Sequence, residues 1–265
     1  MTPARDVLRA LATRTAVDLP VAVVVAHPDD ETIGAGASLA RLPKLLLVHV
    51  TDGAPRNLHD AKAAGFQNAE DYAAARRAEL DAALRAGNVA AERATLDAAD
   101  QQAALHMPAL AQALVERLAK FRPACVITHA YEGGHPDHDS TCLIVRLACA
   151  RLDPPPSILE TSGYFANAGG EMITGGFIGE PAALVAMLDR DGQARREAML
   201  ECFATQRATL APFRNMEHEA FRLAPPCDFG AAPHPGTLWY ERHDWGMTGA
   251  RWRALAQQAL SAWGV

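Results

Sequence analysis

At 265 residues, with 49% hydrophobic and 21% charged residues, the chain has the composition of a soluble globular protein with a sizeable core, far from the disordered regime. Its formal charge of −6 is spread without acidic or basic runs, which excludes nucleic acid as the expected partner, because a phosphate-binding surface needs clustered Lys and Arg. The cysteines Cys125, Cys142, Cys149, Cys202 and Cys227 show no CxxC spacing and lie mostly in apolar surroundings, so they read as reduced core residues of a cytoplasmic protein.

Residues Pro3 to Arg14 have helical spacing at Val7, Leu8 and Leu11, and Met1 to Ala16 lack the apolar run of a secretory signal. No later segment approaches membrane-spanning length. Val21-Ala22-Val23-Val24-Val25 reads as a buried parallel strand that stops at the cluster His27-Pro28-Asp29-Asp30-Glu31. Open α/β sheets place ligand sites at such carboxyl ends. The spacing predicts a helix over Ala35 to Arg41, a second strand over Leu45 to Thr51 closed by the Asp52-Gly53 turn, and a long loop over Ala54 to Glu70. A strong helix follows from Tyr72 to Arg85, then a short strand at Ala94 to Leu96 and an amphipathic helix from Pro108 to Phe121. Ala124 to Ala130 repeats the pattern of the first strand and runs into the polar stretch Tyr131 to Thr141, with a helix over Leu143 to Leu152 capped by Asp139 or Ser140. Beyond it, Ile158 to Phe165 and Met172 to Ile178 read as strands around a Gly169-Gly170 turn, Gln193 to Thr205 as a helix, and the Pro-rich last quarter ends in a helix at Trp252 to Ala262. No linker separates a second domain. The expected architecture is one α/β domain over residues 1–265, a Rossmann-like, mostly parallel sheet flanked by helices, with a core at about 18–206 and a C-terminal cap at about 207–265.

Two strands that each end in a His-Pro-Asp sequence, about 110 residues apart, bring their tips together in one parallel sheet. Zinc in hydrolases is held by about three His, Asp or Glu ligands with one position open for water. His27 and Asp30 from the first cluster with His138 from the second supply that set, and Asp29 stands beside them as a general base. His135 is expected to face the substrate carbonyl as an imidazolium and then to protonate the leaving amine, with Asp137 orienting it and keeping it charged. Glu31 reads as a helix-start residue rather than a ligand, His49 and His129 as buried histidines with protein partners, His59 and His106 as solvated, and His234 as part of a rigid loop. Asp52 is either a turn former or a rim residue that binds sugar hydroxyls. Trp239, Tyr240 and Trp245 either stack on a sugar or form a small core of the cap.

These residues resemble a known family. His27-Pro28-Asp29-Asp30-Glu31 with His135-Pro136-Asp137-His138 is similar to the motif pair of the PIG-L (LmbE-like) de-N-acetylases, and Thr51-Asp52-Gly53, Arg76-Arg77-Ala78-Glu79-Leu80 and Ala204-Thr205-Gln206 extend the likeness. The resemblance implies a Rossmann-like zinc enzyme, with iron(II) as the alternative metal, that removes acetyl from an N-acetylglucosamine-type amino sugar or glycoside. It implies metal ligands at His27, Asp30 and His138, the base at Asp29, the oxyanion-stabilising acid at His135, and a substrate-contacting arginine at Arg76 or Arg77. It departs at Gly133, where several relatives carry a tyrosine thought to reach the reacting carbonyl; Tyr131, Glu132 or a C-terminal residue is then the substitute. Alternatives are the same site acting on another N-acyl or ester substrate, and a non-catalytic sugar- or nucleotide-binding module suggested by Gly34 and Gly36. The expected partner is a small-molecule amino-sugar substrate, with a second copy of the chain as a further candidate.

Overall fold

The computed structural model describes residues 3–179 and 184–265. Helix α1 (Pro3–Thr13) turns Ala4, Val7 and Leu11 inward, as its spacing dictates. Strand β1 (Val21–Val25) is buried along its whole length and leads into α2 (Asp30–Ala35). Strand β2 (Leu45–Pro55), α3 (His59–Ala63) and α4 (Ala69–Ala86) follow, the last capped by Asn68, whose side chain accepts the Asp71 N–H. Next come β3 (Glu92–Asp100), α5 (Met107–Phe121), β4 (Cys125–His129) and α6 (Pro136–Ala150). Then β5 (Ser157–Thr161) is followed by the hairpin of β6 (Tyr164–Ala166) and β7 (Met172–Thr174). The chain closes with β8 (Leu184–Met187), α7 (Arg190–Leu200), α8 (Arg207–Leu210), β9 (His218–Leu223) and α9 (Gly249–Trp263).

The main sheet has the order β3-β2-β1-β4-β5-β9-β8. The first five strands are parallel, and β9 and β8 add to the β5 edge antiparallel. Because β1 is flanked by β2 on one side and β4 on the other, the chain reverses its direction of travel across the sheet there. A crevice opens between the carboxyl ends of those strands at such a point. Alternation along β1 explains its burial on both sides: Val21, Val23 and Val25 pack with α1 and α4, whereas Ala22 and Val24 pack with α5 and α6. The C-terminal residues Leu238, Tyr240, Met247 and Trp252 belong to the α5 and α6 side of this core. The five cysteines are unpaired, and no helix among the described residues is long and apolar enough to cross a membrane.

Several boundaries differ from the sequence expectation, and the differences fall around the strand exits. The helix expected from Ala35 starts at Asp30 and ends at Ala35, with only a single 3-10 turn at Leu39–Arg41. Strand β2 runs on through Asp52 and Gly53 to Pro55 with two irregularities in its pairing to β3, which itself extends to Asp100. Helix α6 starts at Pro136, seven residues before the expected start, and is capped by His135 rather than by Asp139 or Ser140; proline suits the first turn because its missing N–H is not needed there. The segment expected as one strand over Ile158 to Phe165 breaks at Ser162-Gly163 into β5 and β6. Strands β8 and β9 carry no alternation clear enough to read from the sequence. The short loop before α6 packs directly on β6, so a β-carbon at Gly134 would collide with the Tyr164 carbonyl oxygen. Gly134→Ala is therefore expected to lower stability by about 1–3 kcal/mol in urea denaturation; an unchanged midpoint would show that this contact does not form.

Candidate active site

The tips of β1, β2 and β4 are stitched together before any functional side chain enters. Thr51 N–H donates to the Ala26 carbonyl (2.9 Å), and Ala26 N–H donates to His129 Nε2 (3.0 Å). Beyond Ala26, the chain folds back so that His27 N–H donates to Asp30 Oδ2 (2.7 Å). Asp30 Oδ2 also lies 3.1 Å from His27 Nδ1, Asp30 Oδ1 lies 3.1 Å from His138 Nε2, and His138 Nε2 lies 3.3 Å from His27 Nδ1. Asp30 meets the two imidazole nitrogens with different oxygens, so the triangle is one of residues, and its edges of 3.1–3.3 Å approach the roughly 3.3 Å between donors bound tetrahedrally at 2.0–2.2 Å. Burial alone would raise the Asp30 carboxyl, yet the imidazoles of His138 and His27 hold it well below the usual carboxylate range.

Other histidines and carboxylates crowd the triangle, and the donor atoms of three sets lie within 4.8 Å of one another: His27, His135 and His138; His27, Asp100, His135 and Asp137; and Asp30, His129 and His138. Their hydrogen bonds decide which lone pairs are free. His27 Nε2 faces Asp100 Oδ1 (3.1 Å) and Asp137 Oδ2 (3.4 Å), so it carries the proton and leaves Nδ1 as the donor atom. His129 Nε2 is already occupied by the Ala26 N–H. Its ring stacks on His138 at 4.0 Å, and burial pushes its pKa down to about 4. His135 Nδ1 accepts the Asp137 N–H (3.1 Å), which places its hydrogen on Nε2, 3.8 Å from Asp100 Oδ1. Burial and the neighbouring His27 ring hold His135 well below its ordinary pKa, so it is a neutral donor and not the imidazolium expected from the sequence.

Asp29 opens α2 next to Asp30, with Oδ2 3.0 Å from Arg76 Nη2. Arg76, itself buried, also donates to the carbonyls of Gly53 (2.8 Å) and Pro28 (3.3 Å). Burial pushes the Asp29 carboxyl up to about 7 against the pull of that guanidinium. A cavity of about 740 Å³ lies over these residues, with His27, Asp30 and His138 at its base and Ile33, Tyr164 and Phe213 in its walls. Asn57, His59, Asp60, His243, Asp244 and Trp245 also line it, and all but Trp245 are exposed.

The structure brings His27, Asp29, Asp30, His135 and His138 together and separates three other expected site residues from their expected roles. Asp137 holds His135 by its backbone N–H and not by its side chain. Its carboxylate accepts the N–H groups of Gln101 (2.6 Å) and Ala103 (3.0 Å) and faces His27, because the first turn of α6 aims it into the sheet. Asp52 pairs with Arg56 (2.6 Å) and accepts the Ala54 N–H (3.0 Å) outside the cavity lining, which is the turn-forming alternative. Arg77 projects from α4 into solvent, whereas Arg76 one residue earlier is buried against Asp29, the consequence of about 100° of helical rotation per residue. Glu31 accepts from Thr32 and faces His49 at 3.0 Å, away from the ligand triangle. His59 and His243 stand at the cavity rim. His234 faces the Pro235 carbonyl at 2.7 Å, within its own loop.

Neither Tyr131 nor Glu132 replaces the tyrosine missing at Gly133. Tyr131 donates to the Ala231 carbonyl and stacks on Trp252, and Glu132 accepts the Gly163 N–H. Tyr164 lines the cavity instead, edge-on to His138 at 5.4 Å, and its hydroxyl has no hydrogen-bond partner among the described residues. Asp60, Asp100, Tyr164, Asp244 and Trp245 are among the cavity residues that sequence reasoning passed over or left open. Asp100 and Tyr164 had one usable signal, since Asp100 ends β3 and Tyr164 comes three residues after β5, at the carboxyl ends of two strands of the same sheet.

The family model PIG-L, described as GlcNAc-PI de-N-acetylase, matches residues 22–149, the stretch that contains both clusters. Residues 22–149 belong to the PIG-L family. The matched segment ends with α6, so Tyr164, Phe213, His243, Asp244 and Trp245 of the cavity lining lie outside it. No curated protein matches the sequence. Among solved structures, the fold is similar to a zinc-inhibited form of teicoplanin deacetylase Orf2, with 16% identity, a TM-score of 0.59, and coverage of 76% of this chain and 96% of that one. It is also similar to the A40926 pseudoaglycone deacetylase Dbv21, with 21% identity, a TM-score of 0.56 and coverage of 75% and 87%. N,N'-diacetylchitobiose deacetylase from Pyrococcus horikoshii gives 19% identity, a TM-score of 0.54 and coverage of 83% and 90%. At these identities the likeness speaks to the mixed α/β fold with its mostly parallel central sheet.

The two neighbouring arginines give a direct check on the placement of α4. Arg76→Ala leaves Asp29 buried without its cation and is expected to cost about 3 kcal/mol or more, whereas Arg77→Ala stays within about 0.5 kcal/mol. Equal losses in urea denaturation would mean that the face of the helix is misassigned.

Proposed function

We propose that this chain is a metal-dependent hydrolase that removes the N-acetyl group of an amino sugar or glycoside, with a divalent cation held by His27 Nδ1, Asp30 and His138 Nε2. The observation that carries this reading is the donor triangle of 3.1–3.3 Å beside the carboxylate of Asp29. The PIG-L family model, described by a de-N-acetylase activity, and the deacetylase fold neighbours support the same reaction. Zinc suits two imidazoles and a carboxylate, and iron(II) takes the same set. When bound, such a cation supplies the Lewis acidity that makes water nucleophilic near neutral pH.

The remaining steps belong to the side chains. Asp29 takes a proton from the attacking water, and Arg76 holds that carboxylate in place through three hydrogen bonds, two of which go to the backbone around it. His135, with its hydrogen on Nε2, and Tyr164, with its uncommitted hydroxyl, donate to the carbonyl oxygen as negative charge develops there. The proton on Asp29 then passes to the nitrogen as the C–N bond breaks, which yields acetate and the free amine. Asp100 and Asp137 keep His27 in the tautomer that offers Nδ1. Gly34 and Gly36 do not favour the nucleotide-binding alternative, because a β-carbon on them would meet Thr161 and Thr32; both glycines serve close packing.

Acetate and amine release from N-acetylglucosaminides, measured with the zinc-loaded protein before and after chelation, tests the reaction. Asp29→Asn is expected to retain about one metal ion per chain and lose turnover by about 10²–10⁴-fold, while His27→Ala and His138→Ala lose the metal itself. Ordinary activity in Asp29→Asn would remove the base from the scheme. Tyr164→Phe is expected to lower kcat by about 10²-fold with little change in metal content; an unaffected kcat would leave the carbonyl to His135 alone.

A further inference from the structure

The 3-10 turn Ala204–Gln206 takes no part in the steps proposed for the reaction, yet its last side chain reaches the cavity. Gln206 is buried to more than nine-tenths and lines the cavity together with Arg76 and Asp29. The turn is docked on one face of α4, where Tyr72, Arg76 and Glu79 follow one another at helical spacing. Glu79 accepts the Thr205 N–H (2.8 Å) with one oxygen and the Thr205 hydroxyl (2.6 Å) with the other. Those two bonds tie the turn to the helix without any help from Gln206.

The Thr205 hydroxyl has spent its hydrogen on Glu79, so toward any other neighbour it can only accept. That decides which way the Gln206 carboxamide faces. The atom 3.3 Å from Thr205 Oγ1 has to be the amide nitrogen, and the same nitrogen donates to the Tyr72 hydroxyl at 2.6 Å. Both amide hydrogens are committed. Oε1 accepts from no described residue and is not sealed from solvent, so what Gln206 offers the cavity is a neutral acceptor held in one orientation.

This acceptor stands on the same side of the cavity as the base. The Tyr72 hydroxyl lies beside the Arg76 guanidinium, and Arg76 holds Asp29 at 3.0 Å, so Gln206, Tyr72, Arg76 and Asp29 are successive neighbours. In the proposed reaction Asp29 returns its proton to the leaving nitrogen, which puts that nitrogen and the sugar ring bonded to it on this side. Hydroxyls are the donors that such a ring presents next to its amide. A nearly buried acceptor discriminates strongly, because a ligand without the donor leaves it unsatisfied.

Resting on the deacetylation proposed above, we infer that Gln206 is a specificity-determining residue that accepts one ring hydroxyl of the amino sugar through Oε1. Thr205, Tyr72 and Glu79 hold the carboxamide in the orientation this requires.

Acetate release from methyl N-acetyl-β-glucosaminide and from its 3-deoxy, 4-deoxy and 6-deoxy analogues, compared in the zinc-loaded protein and in Gln206→Met and Gln206→Glu, tests this. The unaltered protein is expected to lose about tenfold or more in kcat/KM on the analogue that lacks the recognised hydroxyl. Gln206→Met fills the same space without an acceptor, and in it that parent-to-analogue ratio is expected to fall to about threefold or less, chiefly because the parent is handled less well. Gln206→Glu keeps an oxygen in place and is expected to keep the discrimination. Each ratio is taken within one protein, so a general loss of stability or of metal does not move it. Ratios that are all the same in Gln206→Met as in the unaltered protein would overturn the inference and leave the deacetylase reading standing. If none of the four compounds releases acetate, the reaction proposal fails on these substrates, and their calorimetric Kd values decide the inference. One analogue whose binding deficit disappears in Gln206→Met upholds it, and the lack of any such analogue overturns it.

Discussion

The carboxylate of Asp30 accepts the backbone N–H of His27 with one oxygen and faces His138 Nε2 with the other, so the loop after β1 and the first turn of α6 are held by one side chain. Everything else at the site is arranged around that junction. His27 must present Nδ1 inward, which Asp100 and Asp137 secure by facing Nε2 from the far side. His129 must remain neutral and stacked beneath His138, which the Ala26 N–H secures by occupying its lone pair. A cluster of buried ionisable groups this dense is tolerable only when nearly every polar atom has a partner.

That arrangement also explains how similar residues come to do different work. Asp29 and Asp30 are consecutive and both buried, yet imidazoles surround one and a guanidinium beside an open cavity faces the other. Asp30 is drawn well below the usual carboxylate range and suits ligation, while burial raises Asp29 into the range of a general base. His135 and His138, three residues apart on the same turn of helix, separate in the same way. Capping α6 commits His135 Nδ1, whereas His138 points Nε2 at the triangle.

Much of the fold was legible because its strands are buried on both faces and therefore appear as short unbroken apolar runs, β1 and β4 above all. The two His-Pro-Asp clusters stood at the ends of those runs, and adjacent parallel strands necessarily bring such ends together. Where the reading missed, a weaker signal had been outvoted by context. Strand β3 is mostly half-exposed and polar in pattern, so only its apolar middle was visible, and Asp100 at its end was lost with the rest. The α6 start was misplaced because His135 caps the helix with a ring nitrogen, a role more often filled by Ser, Thr or Asp.

By itself the sequence determined the chemistry available and the strand tips that would present it: one imidazole and three carboxylates after β1, two imidazoles and two aspartates before and within the first turn of α6. Those follow from chain order and from the two-residue period of a buried strand. Only the tertiary structure decided which of Arg76 and Arg77 meets Asp29, that the Asp137 carboxylate serves His27 and not His135, that Tyr164 stands in the cavity, and that Asp60 and Asp244 share it across long separations in the chain. The reason is geometric. A side chain's direction and its free lone pairs depend on which backbone amides and rings reach it from other elements, and no local pattern of residues records those distances.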